Sequence, residues 1–215
     1  MPSAHNPRPD FKREPRWPGF VALFAGARLH VALPSRLSLG PDWALFALMV
    51  VLLVPIMMFH GQRRYVAART LTFVATAALT LALIGSLALL IEGILHHKDN
   101  PASLLRSAAV LWIINVLVFA LWYWKLDAGG PLGRDQTVGR IHSSFLFPQM
   151  YKQPPDADWS PEFVDYLFFG LQHQHSLLAY RPPVLDHWAK ILTMFQSLLS
   201  LTIIAILAAR AINVL

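Results

Sequence analysis

The sequence predicts an all-α fold: a polytopic integral membrane helical bundle with five or six hydrophobic segments. Three observations carry this. Hydrophobic residues make up 55% of the 215 residues and charged residues 14%, a balance that excludes an ordinary soluble domain and a disordered one. Several apolar runs approach or exceed the roughly 20 residues that a helix needs to cross the hydrocarbon core. The basic residues sit at the ends of these runs rather than along one face, as membrane orientation requires. The net charge of +6 therefore reads as topology, and nucleic acid is not an expected partner.

Residues 1–16 are rich in proline and charge and read as a disordered basic tail on the cytoplasmic side. The first segment, about 17–33, holds Arg28 and His30 near its end, where both are expected to reach back to the interface. Lys12-Arg13 ahead of an apolar run and Ala25-Gly26-Ala27 outline a signal peptide, but the run is short and opens with Pro18, so an uncleaved helix is expected. The second segment, about 43–59, starts at Trp43 and carries Pro55, which predicts a kink. Arg63, Arg64 and Arg69 follow in a short loop, and the positive-inside rule puts that loop in the cytoplasm.

The third segment, about 71–95, is studded with Ala75, Ala78, Ala82, Gly85 and Ser86, which suit close helix packing. The fourth, about 104–124, ends in Trp122-Tyr123-Trp124, rings that favour the headgroup level. The loop 125–161 is then cytoplasmic by alternation, and its Asp127-Ala-Gly-Gly-Pro131 reads as a turn. The stretch 163–178 starts apolar and turns polar halfway, so it either spans or re-enters. The last segment, about 191–215, closes a single helical transmembrane domain of residues 17–215. With six crossings, the loops 96–102 and 181–189 share the outer side and the C-terminus is inside.

The residues that suggest chemistry are few. In Asp165-Tyr-Leu-Phe-Phe-Gly-Leu-Gln-His-Gln-His175 an apolar half-helix runs into four polar residues, a costly break in lipid unless it faces protein or water. Asp165, Gln172, His173, Gln174 and His175, with Glu92, are the candidate lining of a polar intramembrane path. His173 and His175 lie about 200° apart on a helix and on one side of an extended segment. Glu92, one turn before the end of its segment, either lines a cavity or reaches the headgroups. His96, His97, Asp186 and His187 are candidate ligands for a divalent transition metal, because six crossings gather them on one face. Asn115 and Gln196 are expected to hydrogen-bond between helices. With no cysteine, thiolate sites and disulfides are excluded. No nucleotide-binding, HExxH or GxSxG motif occurs, so no cofactor and no soluble-type catalytic site are expected, and an enzyme is the weaker reading.

Leu121-Trp-Tyr-Trp-Lys-Leu-Asp-Ala-Gly-Gly-Pro131, Phe145-Leu-Phe-Pro148 and the block from Ala189-Lys-Ile-Leu-Thr-Met-Phe-Gln-Ser to Ala208-Ala-Arg-Ala-Ile-Asn213 resemble a family of uncharacterised bacterial inner-membrane proteins. The resemblance covers about the last 95 residues. Phe163-Val-Asp-Tyr-Leu-Phe-Phe, a polar bend and a long final helix also resemble the end of a two-helix potassium-channel pore module. The filter is degenerate: Gly170-Leu-Gln-His-Gln-His175 stands where a Thr-x-Gly-Tyr-Gly run would replace the ion's water. In such channels the pore loop also faces outward, whereas the charge rule places 125–161 inside. The resemblance implies an inner-membrane location and a channel-like fold. Two functions follow as expectations: a channel-like or transporting protein for an ion or protons, and a non-transporting scaffold or accessory subunit. A pore built from one half-helix per chain requires a homo-oligomer.

Overall fold

The computed structural model describes residues 14–62, 64–96, 100–136, 142–151, 159–174 and 182–212; within these, the side chains of residues 60, 101, 136, 151, 173, 174, 210 and 212 are not described. The described chain is helical throughout, apart from an isolated antiparallel bridge between Phe145 and Val184. The helices are α1 (Trp17–Val31), α2 (Ala44–Gly61), α3 (Tyr65–Leu95), α4 (Pro101–Leu126), the short α5 (Gly130–Gln136) and α6 (Pro148–Tyr151), α7 (Phe163–Gln174) and α8 (His187–Ile212). Three stretches are long and apolar enough to cross a membrane: Tyr65–Leu95, Ala102–Asp135 and His187–Ala209.

Local chemistry explains several boundaries. Asn100 caps α4 by accepting the Ala102 N–H at 3.1 Å, and Pro101 fills the first helical position, where a missing N–H costs nothing. After α4 the chain turns sharply through Ala128, Gly129 and Gly130, all at positive φ, and two glycines in sequence make that affordable. The turn read from Asp127-Ala-Gly-Gly is therefore real. α2 continues through Pro55 to Gly61.

α4 is the hub and packs against α1, α3, α7 and α8. Small residues permit this. A side chain at Gly19 would strike the Trp124 ring of α4, and, between α1 and α3, one at Gly26 would strike Leu79. α3 faces α4 with a ladder of threonines: Thr72, Thr76 and Thr80 each donate to the carbonyl four residues back, and Thr80 accepts the Trp122 indole N–H at 2.9 Å. The outward faces are apolar. On α8, Ile191, Met194, Leu198 and Leu201 form an exposed stripe at helical spacing.

The path of α7 bears on whether the stretch 163–178 spans or re-enters. Its 12 residues extend about 18 Å, short of the roughly 30 Å of a hydrocarbon core. It starts beside the C-terminal end of α4, with the Phe163 and Trp124 rings 5.6 Å apart, and Gly170 lies against Val116 and Ala120 deeper along α4. By Pro183 the chain is back at the starting end: Leu146 N–H donates to Pro183 O at 3.0 Å and Leu185 N–H to Ser144 O at 2.8 Å. Residues 142–146 and 182–186, expected on opposite sides, share one end of the bundle.

Two further readings are corrected. The basic tail is not free up to residue 16, since Glu14 is buried and ion-paired; residues 1–13 lie outside the described residues. His30 turns inward rather than to the interface and meets Ser86 Oγ at 3.1 Å, leaving its Nδ1 without a partner.

Candidate functional site: a half-helix held between two long helices

The returning path of α7 is tied by a polar knot at the C-terminal end of α4. Asp127, fully buried, accepts three hydrogen bonds: from Ser143 Oγ–H at 2.6 Å, from Ser144 N–H at 2.6 Å and from the Tyr166 hydroxyl at 2.5 Å. One carboxylate thereby ties the end of α4 to the chain leading into α7 and to α7 itself. Ser144 Oγ–H in turn donates to Asp186 at 2.5 Å, which fixes the start of α8. Beneath the knot, Phe145 is surrounded by rings, with centroids at 4.6 Å from Phe169, 5.3 Å from Tyr123 and 6.0 Å from Trp188.

Beside it lies a buried ion pair. Arg134 donates from Nε and Nη2 to Glu14 at 2.8–3.1 Å and from Nη1 to the carbonyls of Trp124 and Asp127 at 3.1 and 2.9 Å. Glu14 also accepts the Trp124 indole N–H. The guanidinium thus has its donors matched in the planar fork geometry that favours arginine at such places. Burial pushes the Glu14 carboxyl above its ordinary range, against the opposing pull of Arg134 and the Trp124 N–H.

Deeper in the bundle, a row of polar side chains links α4, α7 and α8. Asn115 donates to Ser200 Oγ at 2.8 Å. Tyr123 donates to Gln196 Oε1 at 2.5 Å, and Gln196 Nε2 donates to Gly170 O at 2.9 Å. Gln196 therefore joins all three helices at the depth where α7 nears its end. Gln172, two residues beyond Gly170, is buried, and its Oε1 has no partner. A buried unpaired acceptor is a costly feature, and it lies within the polar break.

The other candidates fall elsewhere. Asp165 accepts the Glu162 N–H at 2.8 Å and caps the start of α7 at the mouth of the half-helix. The side chains of His173 and Gln174, and all of His175, lie outside the described residues. Glu92 is exposed on α3, toward the opposite end of the bundle from Asp127. His96 sits at that same far end with Nδ1 against Glu92 O at 2.9 Å, whereas Asp186 and His187 belong to the knot end. The expected gathering of His96, Asp186 and His187 on one face is not found: His96 lies at the other end of the bundle from Asp186 and His187. His97 lies outside the described residues, and among those described no three His, Asp or Glu converge as metal ligands.

Sequence reasoning missed Glu14, Asp127, Arg134, Tyr123 and Tyr166. For Asp127 a signal existed, namely an acid directly after a hydrophobic span and before a Gly-Gly turn. Glu14 and Arg134 gave none, being 120 residues apart. No protein-family model, curated protein or solved structure matches this chain.

Proposed function

We propose that the chain is a multi-pass protein of a bacterial inner membrane in which α1, α2, α3, α4 and α8 cross and α7 re-enters, and that an oligomer of it forms a channel-like path for an ion or protons. The observation that carries this reading is the half-helix α7, held between α4 and α8 with both of its connections at one end, bringing the unpartnered Gln172 Oε1 into the interior. A buried polar side chain at such depth is tolerated where it faces protein or water. The resemblance to a two-helix pore module supports the helical arrangement, with α4, α7 and α8 as its three parts, while the half-helix here enters from the cytoplasmic side.

Charge supports five crossings. They leave thirteen Lys and Arg on the side of the knot against four, Arg36, Lys98, Arg106 and Arg210, on the other. Six crossings give twelve against five, a weaker bias under the positive-inside rule. The knot end and the N-terminus are accordingly cytoplasmic. The exposed apolar stripe of α8 is available to face further copies or lipid.

A scaffold is the second reading, favoured by the closed Asn115–Ser200 and Tyr123–Gln196–Gly170 bonds, which serve packing without any conduction. Ion or proton flux into proteoliposomes decides between the two. Conduction predicts flux that changes in Gln172→Ala and in His173→Ala/His175→Ala. A scaffold predicts background flux in every variant, with only stability or complex formation altered.

A further inference from the structure

A cleft opens among α1, α2, α3 and the chain at the end of α4, and its lining includes Arg16, Arg69 and Lys125 but no carboxylate. Arg16 is engaged with Asp135 at 2.9 Å. Lys125 is 6% exposed; its Nζ donates to Thr72 O at 2.6 Å and to Thr76 Oγ1 at 2.5 Å. Among the described residues neither Lys125 nor Arg69 has an acidic partner. Both basic groups approach one ring, each 5.6 Å from the Phe73 centroid. The exposed Arg69 guanidinium and the buried Lys125 amine thus border the cleft with no anion of their own. The rest of the lining, including Phe20, Ile56 and Leu132, is apolar.

Cations above an apolar cleft, at the end of a bundle of membrane-length helices, fit a phosphate attached to a hydrocarbon chain. A free phosphate would use the cations and leave the apolar walls idle. We propose that this cleft binds the phosphate headgroup of an anionic membrane lipid, with Arg69 and Lys125 on the phosphate and Phe20, Ile56 and Leu132 against the chain. The site is separate from the interior of α7 and stands whether or not α7 conducts.

The test is native mass spectrometry of the full-length protein in detergent, offered phosphatidylglycerol or phosphatidylcholine of the same acyl chains, with inorganic phosphate as competitor. Wild type is expected to retain phosphatidylglycerol preferentially. Arg69→Gln, at an exposed position, lowers that retention about fivefold, the effect of one basic residue near an anionic headgroup, and Lys125→Met lowers it at least as far. Arg36→Gln, at the far end of the bundle, leaves it unchanged. Should Lys125→Met fail to fold, Arg69→Gln alone carries the result. Equal retention of the two lipids, or an equal loss in Arg36→Gln, overturns the site. Protection by inorganic phosphate with no preference for phosphatidylglycerol assigns the cleft to free phosphate and overturns the lipid.

Discussion

Two polar regions of this bundle differ in how completely they are satisfied. At the C-terminal end of α4, Glu14, Arg134 and Asp127 are buried with their charges matched by named donors and acceptors. In the deeper row, Asn115 and Gln196 are paired, but Asn115 Oδ1 and Gln172 Oε1 have no partner. A fully matched cluster in a low dielectric locks geometry. A row with spare acceptors retains capacity for water, an ion or a neighbouring chain. The knot therefore reads as the device that holds both connections of α7 at one end of the bundle, and the row as the part left with spare acceptors.

Breaking the knot is expected to have the largest effect. Arg134→Ala leaves Glu14 buried and uncompensated, a loss of about 3–5 kcal/mol, and thermal melts in detergent should show it. Replacing both partners, as Glu14→Leu with Arg134→Met, should recover much of that loss, because the desolvation cost of both ions goes too. Wild type also carries a pH signature. The Glu14 carboxyl titrates above its unfolded value, so the folded state holds the extra proton in the window between the two. Stability thus falls as pH rises through that window and levels off above it. Glu14→Gln should flatten this slope, and an unchanged slope would place the titration elsewhere.

Next in size is Asp127→Ala, which strands the Ser143 and Tyr166 hydroxyls and the Ser144 N–H at about 1–3 kcal/mol for each buried group left unmade. Beyond stability it should free the chain at 142–146 from α7. Single cysteines in this cysteine-free chain offer a direct check on the path. His142→Cys and Leu185→Cys, both exposed, should be labelled from one side of the membrane, and His96→Cys from the other. Labelling of Leu185→Cys together with His96→Cys would restore six crossings.

The contrast between the regions also marks what the sequence could disclose. Helix existence follows from local apolar runs, so the expected 104–124 and observed Pro101–Leu126, or 43–59 and Ala44–Gly61, differ by only a few residues. The depth of α7 does not follow locally. Phe163 to Leu171 has the hydropathy of a span, and only the pairing of residues 144–146 with 183–185 shows that the chain returns. Lys125 illustrates the same limit: beside a Trp-Tyr-Trp run it reads as an interfacial marker, yet α3 supplies Thr72 and Thr76 to bury it. Periodicity reports which face is apolar, and it is silent about which polar group another helix has matched.

The smaller effects belong to the deep row. Gln196→Leu removes the bonds to Tyr123 and Gly170 and should cost about 0.5–2 kcal/mol, the range for hydrogen bonds between membrane helices; double-mutant melts with Tyr123→Phe would isolate their shared part. Gln172→Leu should cost least of all. Its Oε1 makes no bond to lose, and an apolar side chain of similar size in that place relieves an unpaired acceptor rather than creating one. If the row serves only packing, Gln172→Leu is neutral or stabilising and nothing else changes. If it lines a path, the same substitution leaves melting temperature in place or raises it while flux in proteoliposomes shifts. That separation of stability from flux is the sharpest distinction between the two polar regions.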